Sequence, residues 1–152
     1  MKILDYLSGQ NVDFTVKHHE LRYTAQQEAQ AQHLSGHIFA KTVIVHANGE
    51  YVLLVLPASC RVNLKAVEAL LGAEPRMASE EELAELFPDC DLGAEPPFGS
   101  RYGLRSYVDE HLTAHESIAI RAGSHKEVVL LRYVDWARLE RPQVGAFGTP
   151  GA

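Results

Sequence analysis

Lys41 lies inside an otherwise apolar, strand-like segment that covers residues 38–47 and reads IFAKTVIVHA. A lysine in such a segment either extends to the edge of a sheet or faces a cleft, because an unpaired ammonium is costly to bury. An edge lysine would discourage pairing with another strand. A lysine that faces a cleft would instead attract a carboxylate, a phosphate or a developing oxyanion. The segment alone leaves both interpretations open.

A loop rich in glycine and proline covers residues 93–99 and reads GAEPPFG. Pro96 and Pro97 have fixed φ angles and no backbone N–H, whereas Gly93 and Gly99 permit a close approach or a positive φ. Such a loop is stiff although it has no regular secondary structure. Stiffness suits backbone N–H donors, because they need not rearrange when charge develops on a substrate. A rigid connector without any catalytic role would have the same composition.

A turn-like segment, AGSH, covers residues 122–125 between two strand-like runs. These residue types are common in hairpin turns. Alternatively, the hydroxyl of Ser124 or the imidazole of His125 lies at the rim of a pocket. The pair is weak evidence for nucleophilic catalysis, because adjacent residues of a turn seldom point at each other and the sequence has no G-x-S-x-G motif.

The histidines and cysteines form no recognisable metal motif. His111 and His115 have HxxxH spacing, which can bind one ion only in a helix, and this pair lies between two strand-like runs. Cys60 and Cys90 form no CxxC pair, so we expect free thiols. The Walker loop and the GxGxxG fingerprint are absent from the sequence. We therefore expect neither a metal nor another cofactor.

The composition is that of a globular protein with an acidic balance: 152 residues, 46% of them hydrophobic, and a net charge of −6. This length fits one domain with a substantial core. The charge argues against DNA binding and against any broad basic face, but contact with one end of a nucleic acid needs only a local patch. The sequence has no apolar run long enough for a bilayer and no secretory signal, which favours a cytoplasmic location without membrane contact.

Helical and strand-like segments are mixed in the way that is typical of an α+β domain. We predict helices at 2–8, 24–33, 64–71, 79–87 and 134–140, and strands at 13–19, 38–47, 51–57, 104–109, 116–121 and 127–132. Asn48-Gly49 predicts a tight hairpin between the two most apolar strands, which we place at the centre of the sheet. We assign residues 1–140 to one domain and residues 141–152 to a flexible tail.

The order and spacing of several stretches resemble the YbaK/EbsC-type family of trans-editing aminoacyl-tRNA deacylases, whose domain also occurs inserted in bacterial prolyl-tRNA synthetases. The resemblance extends from about Thr24 to Leu139. It rests on AKTVIV (40–45), YVLLVLPAS (51–59), ASEEEL (78–83), LGAEPPFG (92–99), YVDEHL (107–112) and RAGSHKEVVL (121–130). It implies a single compact α+β domain with a bent, mixed and antiparallel, barrel-like sheet flanked by helices.

The resemblance also implies a set of site residues. The family's key lysine matches Lys41. Its Gly-x-x-x-Pro loop matches residues 93–97, in which the N–H groups of Gly93 and Ala94 would stabilise an oxyanion. Its polar rim matches Gly123-Ser124-His125, where family members carry either a serine or a histidine and this chain carries both. The remaining residues expected to bind substrate are Tyr23, Thr24, Pro96, Pro97 and Phe98.

The activity implied is that of a free-standing hydrolase, which cleaves the ester between a mischarged small amino acid and tRNA, with tRNAPro-type substrates expected first. Lys41 would clamp the tRNA end or the ester and would not be a nucleophile. The expected partner is the acceptor end of a mischarged tRNA, with a synthetase as a further potential partner. A local basic rim would come from Arg61, Lys65, Arg101 and Arg105. The alternatives are a module that binds aminoacyl-tRNA ends or a synthetase without turnover, and a metal-dependent hydrolase.

Overall fold

The computed structural model describes residues 3–18 and 35–151. Its helices are α1 (Ile3–Ser8), α2 (Leu64–Leu71), α3 (Glu80–Leu86), α4 (Glu110–Thr113) and α5 (Tyr133–Glu140), with a 3₁₀ helix at Gly99–Arg101. Its strands are β1 (Phe14–His18), β2 (Ala40–Ala47), β3 (Glu50–Pro57), β4 (Cys60–Val62), β5 (Arg76–Met77), β6 (Arg105–Asp109), β7 (Ser117–Arg121), β8 (Glu127–Arg132), β9 (Gln143–Gly145) and β10 (Gly148–Pro150). The helix predicted at 24–33, and with it Tyr23 and Thr24, lies outside the described residues. Among the helices that are described, none is long and apolar enough to span a lipid bilayer.

The strands form three hydrogen-bonded sheets. The central sheet has the order β5-β2-β3-β6-β9, in which β2 pairs antiparallel with β3 while β3, β6 and β9 are parallel neighbours. A second sheet has the antiparallel order β1-β8-β7, and β10 pairs antiparallel with β4. A parallel bridge between Phe39 and Ala119 connects the start of β2 to β7. The predicted α+β class with mixed and antiparallel pairing is confirmed, although the described strands do not close into one barrel.

The hairpin of β2 and β3 is the centre of the fold. Asn48 and Gly49 both have positive φ angles, 53° and 80°, as a two-residue hairpin turn of this twist requires. Alternate residues of β3 enter two different clusters: Leu53 and Val55 join the main core, whereas Leu54 joins a second core on the other face. Both faces are covered, which confirms the central position predicted from the apolar pattern.

The ends of α2 and α3 are capped by nearby side chains and by a glycine. The side chain of Asn63 accepts a hydrogen bond from the backbone of Ala66, and Gly72 ends α2 with a φ of 76°. Ser79 and Glu82 form a reciprocal capping box at the start of α3. Arg76 pairs with Glu82 at 2.8 Å and lowers the pKa of that carboxyl, and the short strand β5 is thereby joined to α3.

The C-terminal segment requires a correction, because it does not form a frayed tail. β9 pairs parallel with β6, and β10 pairs antiparallel with β4. Between them the ring of Phe147 is only 1% exposed. The Oδ1 atom of Asp109 accepts hydrogen bonds from the backbone N–H groups of Phe147, at 3.0 Å, and of Gly148, at 2.6 Å. Two three-residue strands are too short to show periodicity, and their anchor is an aspartate far away in sequence.

Candidate active site

The loop before the 3₁₀ helix and the turn between β7 and β8 form one structural unit. The N–H of Asp91 donates to the carbonyl of Gly123 at 2.8 Å, and the N–H of Gly123 donates to the carbonyl of Ala94 at 2.9 Å. The backbone of His125 donates to the carboxylate of Asp91 at 3.3 Å. The Gly-x-x-x-Pro loop and the polar rim, recognised separately in the sequence, are therefore held together by backbone hydrogen bonds.

His125 is the rim side chain that contacts the loop. Its Nε2 lies 2.6 Å from the carbonyl oxygen of Leu92, and because a carbonyl only accepts, Nε2 must carry the proton. Nδ1 is therefore an acceptor, and it is buried without a hydrogen-bond partner. Gly93 has a φ of 87°, and a Cβ there would come within 3.4 Å of the His125 ring. The loop glycine thus permits the backbone to pass close to an imidazole with an unused lone pair.

Ser124 has a different environment. Its Oγ accepts a hydrogen bond from the backbone of Lys126 at 3.0 Å, which is a local turn contact. It borders a cavity of about 340 Å³ together with Asp89, Cys90 and Tyr102. No hydrogen bond joins its side chain to that of His125 in the described part of the chain. Burial raises the pKa of Cys90 to about 12, so the thiol in this cavity is protonated and unreactive at neutral pH.

The two N–H groups that the resemblance implicates in oxyanion binding are already engaged. The N–H of Gly93 donates to the Oε2 atom of Glu95 at 3.0 Å, and the N–H of Ala94 donates to the carbonyl of Asp91 at 3.0 Å. Ala94 is fully buried. Only the Gly93 group becomes available by a side-chain movement, that of Glu95. The backbone N–H of Glu95 itself has no acceptor among the described residues.

The far end of the loop is attached to α5. The indole N–H of Trp136 donates to the carbonyl of Pro97 at 2.8 Å. The carboxylate of Glu140 accepts from the N–H of Ser100 at 3.0 Å and from its Oγ at 2.6 Å, and it also accepts from the hydroxyl of Ser106. Trp136 is fully buried and Glu140 is 6% exposed, so these contacts are shielded from water. The helix fixes the loop from behind.

Three residues predicted to bind substrate lie inside the protein. Pro96 and Pro97 are buried, and Phe98 is fully buried in the main core, where its ring packs edge-on against that of Tyr6 at 5.8 Å. In the described conformation these side chains support the loop. The polar groups that the loop presents are the backbone N–H groups of Gly93 and Glu95, which are neighbours of these residues in the sequence.

Lys41 faces a cleft. It is half-buried in β2 and borders a cavity of about 400 Å³ that is also lined by His37, Ala58, Ser59, Cys60, Arg61 and Gly151. Burial lowers the pKa of Lys41, and the nearby thiol of Cys60 opposes that shift. None of residues 93–98 borders this cavity, so the described residues do not place Lys41 and the loop around one cavity.

The basic residues near the site divide into two groups. Arg61 is exposed and shares the cavity of Lys41. Arg105 instead pairs with Glu50 at 2.5 Å, and the guanidinium of Arg101 lies 4.4 Å from the ring centre of Tyr6. Of the rim expected from the sequence, Arg61 is the residue that the structure brings next to Lys41, whereas Lys65 is exposed on α2 and does not line this cavity.

Reasoning from the sequence missed two kinds of residue. Trp136 and Glu140 position the loop, but a tryptophan and a glutamate on a short helix resemble ordinary core and surface residues. Glu95 lies in the middle of the recognised loop, and only its contact with the N–H of Gly93 distinguishes it.

Comparison with known proteins tests the family resemblance seen in the sequence. Residues 19–139 match the sequence model of a protein family that is described as "Aminoacyl-tRNA editing domain". The multifunctional Ser/Thr-tRNA deacylase ProXp-y of Escherichia coli (strain K12) is 29% identical, with 96% of this chain and 90% of that protein covered.

Two solved structures share the fold. A hypothetical protein has a TM-score of 0.88 at 19% identity, with 98% of this chain and 100% of that chain covered. A candidate trans-editing enzyme for prolyl-tRNA synthetase has a TM-score of 0.81 at 23% identity, with 90% of this chain and 87% of that chain covered. Because the family match covers well over half of its residues, the chain belongs to the aminoacyl-tRNA editing domain family.

Proposed function

We propose that this protein is an aminoacyl-tRNA deacylase that hydrolyses the ester bond of mischarged tRNA. Family membership and the name of the Escherichia coli relative support this activity. The observation that carries the proposal is the buried, unpartnered Nδ1 of His125, held against the Gly-x-x-x-Pro loop. A buried polar atom without a partner is uncommon, and once substrate displaces the loop and exposes Nδ1, it is suited to accept a proton from a water molecule.

His125 would act as the acceptor for the attacking water. An aminoacyl ester is already activated, so hydrolysis needs a positioned water and stabilisation of the oxyanion. Water adds to the ester carbonyl, its proton passes to Nδ1, and the bond to the ribose oxygen breaks as that oxygen takes up a proton. The products are the free amino acid and tRNA with a free terminal hydroxyl. General-base assistance of this kind contributes about 10²–10⁴ in rate.

The loop would supply the oxyanion donors. The N–H of Glu95 has no acceptor among the described residues, and the N–H of Gly93 is released when the carboxylate of Glu95 turns away. Both groups belong to a loop that is fixed by Trp136 and Glu140, so their direction is set before substrate arrives. Loss of one such donor costs about 10²–10³ in rate. The donors assigned from the resemblance, Gly93 and Ala94, are thereby revised to Gly93 and Glu95.

Lys41 and Arg61 would hold the tRNA end. The two cations border one cavity, and a phosphate is the part of the acceptor end that needs cations. Arg61 is the exposed member, whereas Lys41 is half-buried, where a charge acts more strongly. Lys41 therefore binds and orients the substrate and takes no part as a nucleophile.

The substrate class that we propose first is serine or threonine carried by a non-cognate tRNA. The relative is named a Ser/Thr-tRNA deacylase, and this chain covers 90% of its length. Small amino acids are the ones that synthetases confuse, because one methylene is worth only about 1–3 kcal/mol of discrimination. Amino acids attached to tRNAPro remain the second set to test. We place the reaction in the cytoplasm, where charged tRNA is used, and we treat a synthetase as a further partner to be sought.

The decisive experiment compares deacylation and binding. Purified protein is mixed with non-cognate tRNAs that carry serine or threonine, and with tRNAPro that carries alanine or cysteine. Lys41→Ala is assayed in parallel. The control is Lys65→Ala, which alters an exposed lysine of α2. We expect rapid hydrolysis of at least one substrate, a loss of about 10²-fold or more in kcat/KM for Lys41→Ala, and little change for Lys65→Ala.

Two other outcomes would identify the competing classes. Binding of the charged tRNA without hydrolysis of any member of the panel would indicate a module that recognises aminoacyl-tRNA ends. Loss of turnover after treatment with a chelator, restored by a divalent ion, would indicate a metal-dependent hydrolase.

A further inference from the structure

A third cavity lies apart from the loop and its rim, shares His37, Ser59 and Cys60 with the cavity of Lys41, and is surrounded by potential metal ligands. It has a volume of about 180 Å³ and lies between β4, α4 and the segment that precedes β2. The residues that line it are His37, Pro57, Ser59, Cys60, His111, His115 and Pro150. Three imidazoles and one thiol therefore face the same space. The proposed deacylation uses none of them.

Three ligand atoms of this region are close together. The Sγ of Cys60, a carboxylate oxygen of Asp109 and a ring nitrogen of His111 all lie within 4.8 Å of one another. Tetrahedral zinc with bonds of about 2.0–2.3 Å places ligand atoms about 3.3–3.8 Å apart, so side chains must move by about 1 Å to bind an ion. Cys60 and Asp109 are buried and His111 is exposed, so the cluster has a protected side and an open side.

Asp109 fixes the imidazole of His111 in one orientation. Its Oδ2 lies 2.7 Å from Nδ1 of His111, while its Oδ1 accepts from the backbone of Phe147 and Gly148. A carboxylate at this distance places the proton on Nδ1 and leaves Nε2 with a free lone pair. Histidines that bind zinc commonly donate their other N–H to a carboxylate in this way. The aspartate is thus suited to the outer sphere of a metal site.

The HxxxH pair begins in a helix, although its sequence context had put a helix there in doubt. His111 lies in α4, Ala114 continues in the right-handed helical region, and the N–H of His115 donates to the carbonyl of Leu112 at 3.3 Å. His115 lies two residues beyond the end of α4, and both histidines border the same cavity. The sequence placed the pair between two strand-like runs, and the structure places the short helix α4 between β6 and β7.

We propose that Cys60 and His111 form a binding site for a divalent cation of the zinc type, with His115 and His37, which border the same cavity, as the further ligands to be recruited. Thiolate and imidazole ligands favour such an ion over Mg²⁺ or Ca²⁺, which prefer oxygen. The bound ion joins β4 to α4, and through Asp109 it reinforces the attachment of the C-terminal strands. The site adjoins the cavity of Lys41, because His37 and Cys60 border both cavities, so it is tested by metal binding itself and not by deacylase activity.

Cobalt(II) titration of the purified, reduced, full chain tests this site directly. Cobalt bound to a thiolate gives a charge-transfer absorption in the near ultraviolet, which an ion bound by oxygen alone does not give. We expect this band to saturate at one equivalent, to disappear on addition of Zn²⁺, and to be absent from Cys60→Ser. The matched control Cys90→Ser removes the other free cysteine and should keep the band.

A second variant keeps the test decisive if Cys60→Ser, which alters a buried residue, fails to fold. His111→Gln changes a partly exposed side chain, and we expect it to weaken Co²⁺ binding by about 10–100-fold, whereas His46→Gln, outside the cluster, should not. Zn²⁺ should also raise the midpoint of thermal unfolding of the unaltered chain but not of His111→Gln. Absence of the band in the unaltered chain, or equal affinity in His111→Gln and His46→Gln, would overturn the proposal.

Discussion

At the scale of single residues, His125 and Ser124 illustrate how two adjacent candidates can be separated. Their order in the sequence makes them equivalent, and the resemblance supports either one. The structure gives them different surroundings: Ser124 has a local turn contact, while His125 contacts the loop and retains a buried, unpaired Nδ1. The unpaired acceptor is the reason for assigning the chemistry to His125.

Replacement of His125 by alanine tests that assignment. We expect kcat to fall by about 10²–10⁴, because the acceptor for the proton of water is removed, with a smaller change in KM. Ser124→Ala is the matched control and should retain nearly full activity. The measurement is single-turnover release of the amino acid from mischarged tRNA. Equal losses in the two variants, or a loss confined to Ser124→Ala, would contradict the assignment.

At the scale of secondary structure elements, α5 holds the catalytic loop in place. Trp136 contacts the carbonyl of Pro97, and Glu140 binds the first residues of the 3₁₀ helix that follows the loop. The loop contains two prolines and few internal hydrogen bonds, so its position depends on these contacts with the helix. We therefore regard both residues as positioning residues.

The Trp136→Phe substitution removes one donor and preserves most of the ring. The carbonyl of Pro97 is then left unpaired in the interior, which should lower the free energy of unfolding by about 1–3 kcal/mol. If the indole also positions the loop, kcat should fall more than KM rises. Tyr133→Phe, on the same helix, serves as the control. A stability loss with unchanged kcat would show that Trp136 is structural only.

Glu140 predicts a dependence of stability on pH. Burial raises its pKa, against the opposing hydrogen bonds from Ser100 and Ser106. The folded chain thus holds this proton more tightly than the unfolded chain, so protonation stabilises the fold. The contribution is complete below the unfolded-state pKa and is lost as the pH rises through the higher folded-state pKa.

The corresponding measurement is urea unfolding of the unaltered chain and of Glu140→Gln. Relative to the glutamine variant, the unaltered chain should be more stable at about pH 5 than at about pH 8. A difference between the two proteins that is constant over this range, or that grows with pH, would contradict the raised pKa.

The sequence predicted the elements well wherever a local rule determines them. Asn48-Gly49 requires two positive φ angles, and Ser79 and Glu82 satisfy each other's backbone groups, so the hairpin and the helix start follow from neighbouring residues. The site was harder to predict. The contact between Trp136 and Pro97 joins residues almost forty positions apart, and no local pattern indicates it. The same holds for Asp109, whose contacts convert an apparently irregular tail into two strands.

At the scale of the whole molecule, the negative net charge limits how the protein meets tRNA. The chain carries a net charge of −6, and Arg101 and Arg105 make contacts with Tyr6 and Glu50. Arg61 and Lys41 remain as the cationic pair that borders one cavity. Such a surface fits contact with the acceptor end of tRNA and does not fit a wide interface along its length.

This limit predicts a shallow dependence of binding on salt. Two contacts with the single-stranded acceptor end should give a slope of log K against log salt of about −1 to −2, and Arg61→Ala should reduce its magnitude by about 0.7. The measurement is binding of a non-hydrolysable aminoacyl-tRNA analogue at several salt concentrations, with Lys65→Ala as control. A slope steeper than about −5, which indicates many phosphate contacts, would contradict the local interface.

The most direct test of the account is single-turnover hydrolysis of serine or threonine esterified to a non-cognate tRNA. The chain, in excess over the charged tRNA, should release the amino acid much faster than the spontaneous reaction, and both Lys41→Ala and His125→Ala should slow that release by about 10²-fold or more. Undiminished release by both variants would contradict the site. Binding of the charged tRNA without any release, for these substrates and for those of tRNAPro, would contradict the function itself.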